Sequence, residues 1–454
     1  MALSLAACGG GGGGRFLPMN ATAPPSHTAT HLVGVTATST REVIPATQTP
    51  TTALPTASPA SMPTATPRGI KVIAASEPVG IIRRMPGGPI VGGAPRMPAQ
   101  YRVTNPDEVH VATLASGLEV PWSLAFAPDG RLFVSERPGR IRVITNNLLA
   151  PTPWATLAVR ADGEGGLMGL TLDPNFNSEP WVYICYTFDD GGASSNRISR
   201  VREVDGRGGN EQILLDHFPG AAIHDGCRLK FAPDGTLFAT TGDSFQRSLA
   251  QDLSSLAGKI LRLNRDGSVP DDNPFGRTSP VYSYGHRNSQ GLAFDPETGT
   301  LFATEHGPSG EVGFGNYDEV NIIVPGGNYG WPLAVGAPGL PEFQDPLLAF
   351  PDIAVPPAGA TFYRSTRIPL WTGNFLFTSL RGEHLQRVTL DASRRHVVAI
   401  ERLFERDFDR GIYGRLRDII EGPDGSLYMA TSNRDGRGTP APDDDRILRI
   451  EPTR

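Results

Sequence analysis

The stretch Ala125-Phe-Ala-Pro-Asp-Gly-Arg-Leu-Phe-Val134 contains the end of one apolar strand, a tight turn and the start of a second apolar strand. Proline presets φ for such a turn, and glycine accepts the positive φ that the turn requires. Similar stretches recur at intervals of 45 to 77 residues, beginning at Leu170, Phe231, Phe294, Trp371 and Glu421. A constant hairpin separated by variable insertions is typical of a β-propeller.

The six copies of this hairpin predict an all-β fold with six blades. A β-sandwich with Pro-Asp-Gly turns is the alternative, but it does not account for six recurrences at this spacing. No long segment shows the helical apolar period that a competing fold would need. We therefore expect a six-bladed β-propeller preceded by a disordered Pro/Thr/Gly-rich N-terminal tether.

The N-terminal part of the chain differs from the rest in composition. Residues 1–100 contain 14 prolines and only 9 charged residues, and they lack a regular apolar period. Such a segment cannot bury enough apolar surface to offset the entropy lost on ordering. We expect residues 1–8 to be a truncated lipoprotein signal, residues 9–105 a low-complexity tether and residues 106–454 the propeller domain.

The folded part of the chain is acidic. Residues 101–454 carry 34 Lys and Arg against 45 Asp and Glu, a net charge of −11. An acidic domain repels a phosphate backbone, so nucleic acid is not an expected partner. No apolar run reaches 18 residues, so the sequence predicts no transmembrane helix.

The three cysteines are Cys8, Cys185 and Cys227. Leu5-Ala6-Ala7-Cys8 has the residue order of a bacterial lipoprotein cleavage site, although the charged and apolar regions that normally precede it are missing. Cys8 is therefore the predicted lipid anchor, and the chain is expected to be extracytoplasmic, in the periplasm or at the cell surface. Cys185 and Cys227 either pair in a disulfide or remain separate buried thiols.

Chemistry-bearing residues gather in the loops between the hairpins, which in a propeller converge at one mouth of the central channel. His224, flanked by Asp225, is a candidate general base because imidazole exchanges protons near neutral pH. A histidine with a structural role is the alternative. These residues alone do not decide between the two.

Two further groups suggest ligand binding. Arg415 and Arg417 alternate on a predicted strand, so both face one side, where they bind carboxylates or form ordinary salt bridges. Asp318-Glu319 and the carbonyls of the Gly-rich loops offer oxygen ligands to Ca²⁺, although acidic pairs are common in loops.

Three longer phrases carry a resemblance to a known family. They are Gly285-His-Arg-Asn-Ser-Gln-Gly-Leu292, the segment from Asp318-Glu-Val-Asn321 to Gly-Asn-Tyr-Gly-Trp-Pro332, and Ala250-Gln-Asp252 with Gly258-Lys-Ile-Leu-Arg262. In order and content they resemble the PQQ-dependent soluble glucose dehydrogenases and the broader bacterial aldose sugar dehydrogenases. The resemblance extends from about Gly117 to Ile450 and implies a six-bladed propeller with PQQ and Ca²⁺ at the channel mouth.

The resemblance implies a role for each matching residue. His224 corresponds to the base that takes the proton from the anomeric hydroxyl, Asp243 to the carboxylate that orients this base, and Arg287 to a group at the quinone oxygens. The residues implied to bind PQQ are Arg287, Asn288, Arg381, Arg415 and Arg417. The implied Ca²⁺ ligands are the carbonyls of Gly307 and Pro308, with Glu319 and Tyr329 at a second, structural Ca²⁺ site.

The sequence departs from the family pattern at three positions. Glu164 stands where the glucose dehydrogenases have a glutamine near the substrate, which changes the charge and the sugar contacts. Arg381 replaces a PQQ-binding lysine, keeping the charge but changing its geometry. Cys227 replaces a small glycine. These departures put the choice of sugar in doubt.

The sequence therefore favours a quinoprotein that oxidises aldose sugars at C1 to the lactone and passes electrons to an external acceptor. A Ca²⁺-dependent propeller lactonase is the enzyme alternative, but Arg415 and Arg417 argue against it. A cell-surface binding propeller without cofactor is the other alternative, since fold alone does not prove function. Homodimer formation is left open.

Overall fold

In the computed structural model, residues 79–95, 101–407 and 410–453 are described. The predicted signal and anchor at Cys8, and the parts of the predicted tether in residues 9–78 and 96–100, lie outside the described residues. The described residues form strands and two short 3-10 helices, Arg247–Gln251 and Pro369–Trp371. The strands are β1 Ile81–Arg84, β2 Ile90–Gly92, β3 Tyr101–Thr104, β4 Val109–Ala115, β5 Pro121–Phe126, β6 Leu132–Glu136, β7 Arg140–Thr145, β8 Leu148–Leu149, β9 Ala155–Thr156, β10 Leu167–Leu172, β11 Trp181–Asp190, β12 Ala193–Val204, β13 Arg207–Pro219, β14 Gly226–Phe231, β15 Leu237–Thr241, β16 Lys259–Leu263, β17 Val281–Tyr284, β18 Ser289–Phe294, β19 Leu301–Glu305, β20 Asp318–Ile323, β21 Ala334–Val335, β22 Leu348–Phe350, β23 Pro357–Phe362, β24 Phe375–Ser379, β25 Leu385–Leu390, β26 Val397–Leu403, β27 Glu405–Asp407, β28 Arg410–Gly411, β29 Leu416–Glu421, β30 Leu427–Thr431 and β31 Ile447–Pro452.

Six sheets of four or five strands make up the blades within the described residues. In order of their first strands, they are blade 1 (β5 to β9), blade 2 (β10 to β13), blade 3 (β14 to β17), blade 4 (β18, β19, β20, β22), blade 5 (β23 to β26, then β3) and blade 6 (β29, β30, β31, β4). Their first strands contact one another in a closed ring, from β5 through β10, β14, β18, β23 and β29 back to β5. The predicted six-bladed all-β propeller is confirmed.

Strand β4 closes the ring, because this early strand pairs antiparallel with β31, the last strand of the chain. The two ends of the propeller domain therefore share blade 6, and their pairing holds the ring closed.

The repeated hairpin lies between the first and second strand of each blade. In blade 1, Ala127 N–H donates to Arg131 O at 2.8 Å, and Gly130 N–H donates to Ala127 O at 2.9 Å. Gly130 has φ of 86°, which the glycine of this turn accepts without strain. The Pro-Asp-Gly turn chemistry thus explains why the repeats could be located from sequence.

The hydrophobic core lies between the blades. Each pair of neighbouring blades encloses its own cluster of buried apolar side chains in the described part of the chain. Between blades 4 and 5, for example, Phe302 and Phe362 meet edge to face with ring centroids 5.1 Å apart. Sheet-on-sheet packing of this kind holds the first strands rigidly around the channel.

The structure differs from the prediction at the C-terminal end of the predicted tether. Residues within 9–105 form strands: β1 pairs with β2, β2 pairs parallel with β21, and β3 pairs parallel with β26 at the outer edge of blade 5. These strands are held by hydrogen bonds to edges supplied by distant residues. Composition alone does not reveal such long-range pairing.

Cys185 on β11 and Cys227 on β14 form a disulfide, with Cα atoms 5.4 Å apart. The bond joins blade 2 to blade 3 within their shared apolar cluster. The sequence left open whether Cys185 and Cys227 pair or remain separate thiols, and in the structure they are paired. Among the described residues, no helix is long and apolar enough to cross a membrane.

Candidate active site

A cavity of about 670 Å³ opens at one end of the ring. Its walls come from the loops that precede the first strands and follow the second strands, which meet at one end because these strands run antiparallel. The predicted site residues that line it are Glu164, His224, Arg287, Gly307, Pro308, Arg381 and Arg415. The predicted convergence of the loops on one mouth is confirmed for these residues.

His224 and Asp243 form a hydrogen-bonded pair at this cavity. His224 Nδ1 lies 2.8 Å from Asp243 Oδ1, and both side chains are buried. The same Oδ1 accepts a bond from Phe245 N–H at 2.9 Å, and Oδ2 accepts one from Trp331 Nε1–H at 2.7 Å. A carboxylate surrounded by donors accepts the Nδ1 proton, so Nε2 keeps its lone pair for a proton from a ligand.

The loop that carries His224 has an unusual backbone. His224, Gly226 and Cys227 have φ of 63°, 65° and 68°, in the left-handed region. Gly242 permits this conformation, because a Cβ atom there would lie 1.8 Å from His224 O. The glycine of the Thr241-Gly-Asp243 phrase is therefore required for the histidine loop to reach Asp243.

Arg287 is buried beside this pair and contacts it through the backbone, since Asp243 N–H donates to Arg287 O at 2.8 Å. Its guanidinium donates to Glu311 Oε1 at 2.6 Å and to His306 O at 3.3 Å. Burial raises the pKa of Glu311, but Arg287 outweighs it and holds that pKa below the usual value. Arg287 therefore enters the cavity as a fixed, charge-balanced donor.

Glu164 is a second anion at the cavity. Its Oε1 lies 2.5 Å from Arg437 Nη1, and its Oε2 accepts a 3.1 Å bond from the backbone N–H of His224. Burial alone would raise the pKa of Glu164, but Arg437 and the His224 N–H lower it to about 2. The carboxylate is thus charged at any physiological pH and fixes the position of the histidine loop.

Arg415 lies just before β29 and not on a strand as predicted, whereas Arg417 lies on β29, and the two share one acidic partner. Arg415 Nε donates to Asp435 Oδ2 at 2.8 Å, and Arg417 Nη2 lies 3.7 Å from the same oxygen. Arg417 Nη1 donates to Gln290 Oε1 at 2.8 Å, whereas its buried Nε has no partner within the described residues. Burial lowers the pKa of Arg417 to about 9. An anionic ligand would give Arg417 Nε an acceptor and would offset the cost of burying the charged guanidinium.

Asn288 is completely buried behind the His224 loop. Its Oδ1 accepts a 3.1 Å bond from Gly226 N–H, while its Nδ2 has no partner among the residues described. Arg381, in contrast, is exposed at the cavity wall. The site therefore combines several guanidinium groups with unpaired buried donors, which suits a ligand that carries more than one acidic group.

The predicted Ca²⁺ ligands fall in two places. Gly307 and Pro308 line the cavity, and Gly307 N–H donates to Asp318 Oδ1 at 2.9 Å. Among the described backbone N–H groups, none donates to the carbonyl oxygen of Gly307. Backbone carbonyls such as those of Gly307 and Pro308 are oxygen ligands of the kind that a hard cation takes.

Glu319 and Tyr329 lie on β20 and in the loop that follows it. Glu319 is half-buried on β20 opposite Glu305, and its desolvation, with the charge of Glu305, raises its pKa well above the usual range. The Tyr329 hydroxyl donates to Ile322 O at 2.7 Å, and its ring stacks on His286. No group of three or more His, Cys, Asp or Glu side chains in the described ranges is spaced to hold a metal. The second Ca²⁺ site stays a prediction.

Sequence reasoning missed three residues that hold the site together. Trp331 bonds to Asp243, Glu311 bonds to Arg287, and Arg437 bonds to Glu164. Trp331 lies in the quoted family phrase ending at Pro332, which was the one available signal. The other two contacts join different loops and have no local sequence pattern.

Comparison with known proteins agrees with this architecture. A family model described as glucose/sorbosone dehydrogenase matches residues 118–448. The chain is 33% identical over 362 residues to the aldose sugar dehydrogenase YliI of Escherichia coli, covering 73% of this chain and 92% of that one. It is 32% identical over 275 residues to quinoprotein glucose dehydrogenase B of Acinetobacter calcoaceticus, covering 53% of this chain and 56% of that one.

A solved structure is similar to this chain in both fold and sequence. The PQQ-bound aldose sugar dehydrogenase of Streptomyces coelicolor superposes with a TM-score of 0.67 at 37% identity, covering 77% of this chain and 100% of that one. Fold and site thus define a propeller oxidoreductase of the sugar dehydrogenase class. The chain belongs to the glucose/sorbosone dehydrogenase family.

Proposed function

We propose that the chain oxidises aldose sugars at C1 to the lactone with PQQ and Ca²⁺ as cofactors, and passes the electrons to an external acceptor. The observation that carries this proposal is the buried His224–Asp243 pair, 2.8 Å apart, in a cavity surrounded by guanidinium groups. When bound, PQQ supplies the quinone that accepts the hydride from C1.

The donor set fits such a cofactor. PQQ carries three carboxyl groups; Arg381 and Arg415 line the cavity, and Arg417 is buried beside Arg415, so these three residues are the proposed guanidinium partners of the carboxylates. The unpaired Nδ2 of Asn288 and Nε of Arg417 are buried donors that lack acceptors, as a site built for an acceptor-rich ligand would contain. Arg287, fixed by Glu311, is the donor for the charge that develops on the quinone oxygens.

Ca²⁺ would be held by the carbonyl oxygens of Gly307 and Pro308. Both residues line the cavity, and Asp318 fixes the Gly307 backbone through its N–H. Backbone oxygens are suitable ligands for this hard cation, and the cofactor itself would complete the coordination. Glu319 and Tyr329 belong to the same proposal as a second, structural Ca²⁺ site.

His224 would take the proton from the C1 hydroxyl on its Nε2. Asp243 holds Nδ1–H by a 2.8 Å bond, which fixes the tautomer and stabilises the positive ring that forms. Trp331 and the Phe245 N–H hold Asp243 in turn, so the base is oriented by a chain of bonds. Glu164, charged and close to His224, is the proposed contact for a sugar hydroxyl.

The disulfide between Cys185 and Cys227 favours an oxidising compartment, which supports the predicted extracytoplasmic location. The lipid anchor at Cys8 and the external electron acceptor belong to this proposal. Neither the lactonase nor the cofactor-free binding propeller is favoured by a specific contact among the described residues.

The test uses the full chain loaded with PQQ and Ca²⁺. We expect a redox dye to be reduced on addition of aldoses and the absorbance of PQQ to change on binding. If PQQ binds but no aldose in a panel of hexoses and pentoses reduces the dye, the proposed reaction is wrong. If PQQ does not bind, the quinoprotein assignment is wrong as well.

A further inference from the structure

Residues Asp243 to Gln246 form a tight turn at the cavity edge, closed by a 2.8 Å bond from Gln246 N–H to Asp243 O. Its two central residues, Ser244 and Phe245, have φ of 48° and 59°. A four-residue turn with both central residues left-handed strongly prefers Asn-Gly or another glycine-containing pair. A bulky residue in this conformation is an outlier that costs free energy.

The turn is held in this conformation by the catalytic pair. Phe245 N–H donates to Asp243 Oδ1 at 2.9 Å, and Ser244 N–H donates to His224 O at 3.1 Å. These bonds come from the backbone, so a glycine at position 245 would make them equally well and without strain. The phenyl side chain is therefore not needed to build the turn.

The phenyl ring contributes little to the core. It is 60% exposed, and it meets the ring of His224 edge to face at 5.9 Å between centroids. Among the exposed large apolar side chains of the described residues, Phe245 is the only aromatic one. It lines the same cavity as His224 and Arg287. A strained residue that presents an exposed ring to a site indicates a ligand contact.

We infer that Phe245 is a stacking platform for the face of an aldopyranose ring opposite the C1–H bond. In a β-glucopyranose the axial C–H bonds of C2 and C4 lie on that face, and the electron-rich face of a phenyl ring attracts them. The face that carries the C1–H bond is then left open toward the quinone. A sugar resting on this ring lies beside His224, as its C1 hydroxyl must when the base takes the proton. This inference rests on the proposed function and assigns the sugar contact that orients the ring.

The experiment compares Phe245→Ala, Phe245→Gly and Phe245→Trp. Because stacking supports binding rather than proton transfer, Ala and Gly should raise KM for glucose about tenfold, with kcat within about twofold. Phe245→Trp should retain a KM close to that of the parent. Phe245→Gly should also raise the melting temperature, since it removes the left-handed strain. An unchanged KM in the Gly variant would overturn the inference.

A second readout does not depend on turnover. Methyl β-D-glucopyranoside cannot be oxidised at C1, so saturation-transfer NMR can follow its binding to the PQQ-loaded chain. We expect saturation transfer to the ring protons of C2 and C4 in the parent and its loss in Phe245→Ala. Equal saturation transfer to the glycoside in the parent and in Phe245→Ala would contradict the stacking role of Phe245. A parent that binds the glycoside but oxidises no aldose would contradict only the proposed reaction.

The control variant is Asn147→Gly. Asn147 has φ of 64° in the turn between β7 and β8, far from the cavity in the chain and absent from its walls. This change places glycine at the same kind of left-handed turn position, where asparagine is better tolerated than phenylalanine, so it should raise the melting temperature slightly and leave KM and saturation transfer unchanged. If it raises KM as Phe245→Gly does, relief of strain and not loss of stacking explains the effect, and the inference fails.

Discussion

Cys227 is bonded to Cys185 three residues after His224, at a position where its own φ is 68°. A left-handed residue with a Cβ atom costs about 1–2 kcal/mol, which glycine would avoid. Its carbonyl also lies so close to blade 2 that a Cβ on Gly169 would be 2.0 Å from it. The disulfide therefore holds a strained segment next to His224, the proposed base.

Removing the disulfide should loosen this segment. Cys185→Ala deletes the cross-link but leaves the strained Cys227, so the free energy of unfolding should fall by about 2–4 kcal/mol. Because the disulfide no longer holds the His224 loop in place, kcat should fall as well, with PQQ binding largely unchanged. Denaturant unfolding and dye-reduction assays measure the two effects.

The double variant Cys185→Ala/Cys227→Gly is the control. It lacks the disulfide, but it also lacks the left-handed Cβ, so it should regain about 1 kcal/mol and part of the lost kcat relative to the single variant. Equal stability of the single and double variants would contradict the role assigned to backbone strain at Cys227.

Changes in the base and its partner should affect turnover more than cofactor binding. His224→Gln should abolish turnover with PQQ bound. Asp243→Asn should lower kcat about 100-fold to 10,000-fold, because an amide cannot accept from His224, Phe245 and Trp331 at once. Stopped-flow reduction and PQQ absorbance report the two steps. Loss of PQQ binding in His224→Gln would indicate a structural role instead.

The arginine pair should determine cofactor affinity. Arg417→Lys keeps the charge but loses the Nε and Nη donors in the plane that Gln290 orients, so the Kd for PQQ should rise about 10-fold to 100-fold. Arg394→Lys is the matched control, since Arg394 is also buried and pairs with Asp295 at 2.7 Å. It should reduce stability and leave the Kd for PQQ unchanged; a similar rise in both variants would point to general destabilisation.

The fold was predictable because its signals are local. Each turn, whether Pro-Asp-Gly or a related sequence rich in Pro, Gly, Asp and Asn, is specified by a few adjacent residues, so the six hairpins could be located from composition and spacing. The strands before residue 106 escaped prediction because β3 depends on the edge of β26, about 300 residues away. Edge pairing of this kind has no signature in the short strand itself.

The site was predictable where the family phrases cover it. His224 and Asp243 are 19 residues apart on one hairpin, and their pairing at 2.8 Å agrees with the role implied by the resemblance. Trp331 and Arg437 lie 88 and 273 residues from the carboxylates they bond, on loops of other blades. Only the closed ring brings such loops together, so no periodicity could have paired them.

The charge of Glu164 makes a prediction about acid stability. Its pKa is lowered to about 2 from an ordinary value of 4.5, mainly by Arg437 and the His224 N–H working against burial. A carboxyl with a lowered folded-state pKa stabilises the fold fully above its unfolded pKa, and this contribution disappears as pH falls toward the folded pKa. The relevant window therefore lies between about pH 4.5 and pH 2.

Glu164→Gln should remove this contribution, so its free energy of unfolding should fall less than that of the parent between pH 4.5 and pH 2. The difference should be about 1–3 kcal/mol, because the side chain of Arg437 is 56% exposed and water screens the pair. Urea unfolding at several pH values measures it. Glu179→Gln is the control, since Glu179 pairs with Arg202 at 3.5 Å on the surface, where a salt bridge contributes little. Parallel acid profiles for the parent and Glu164→Gln would show that Arg437 does not stabilise the Glu164 carboxylate.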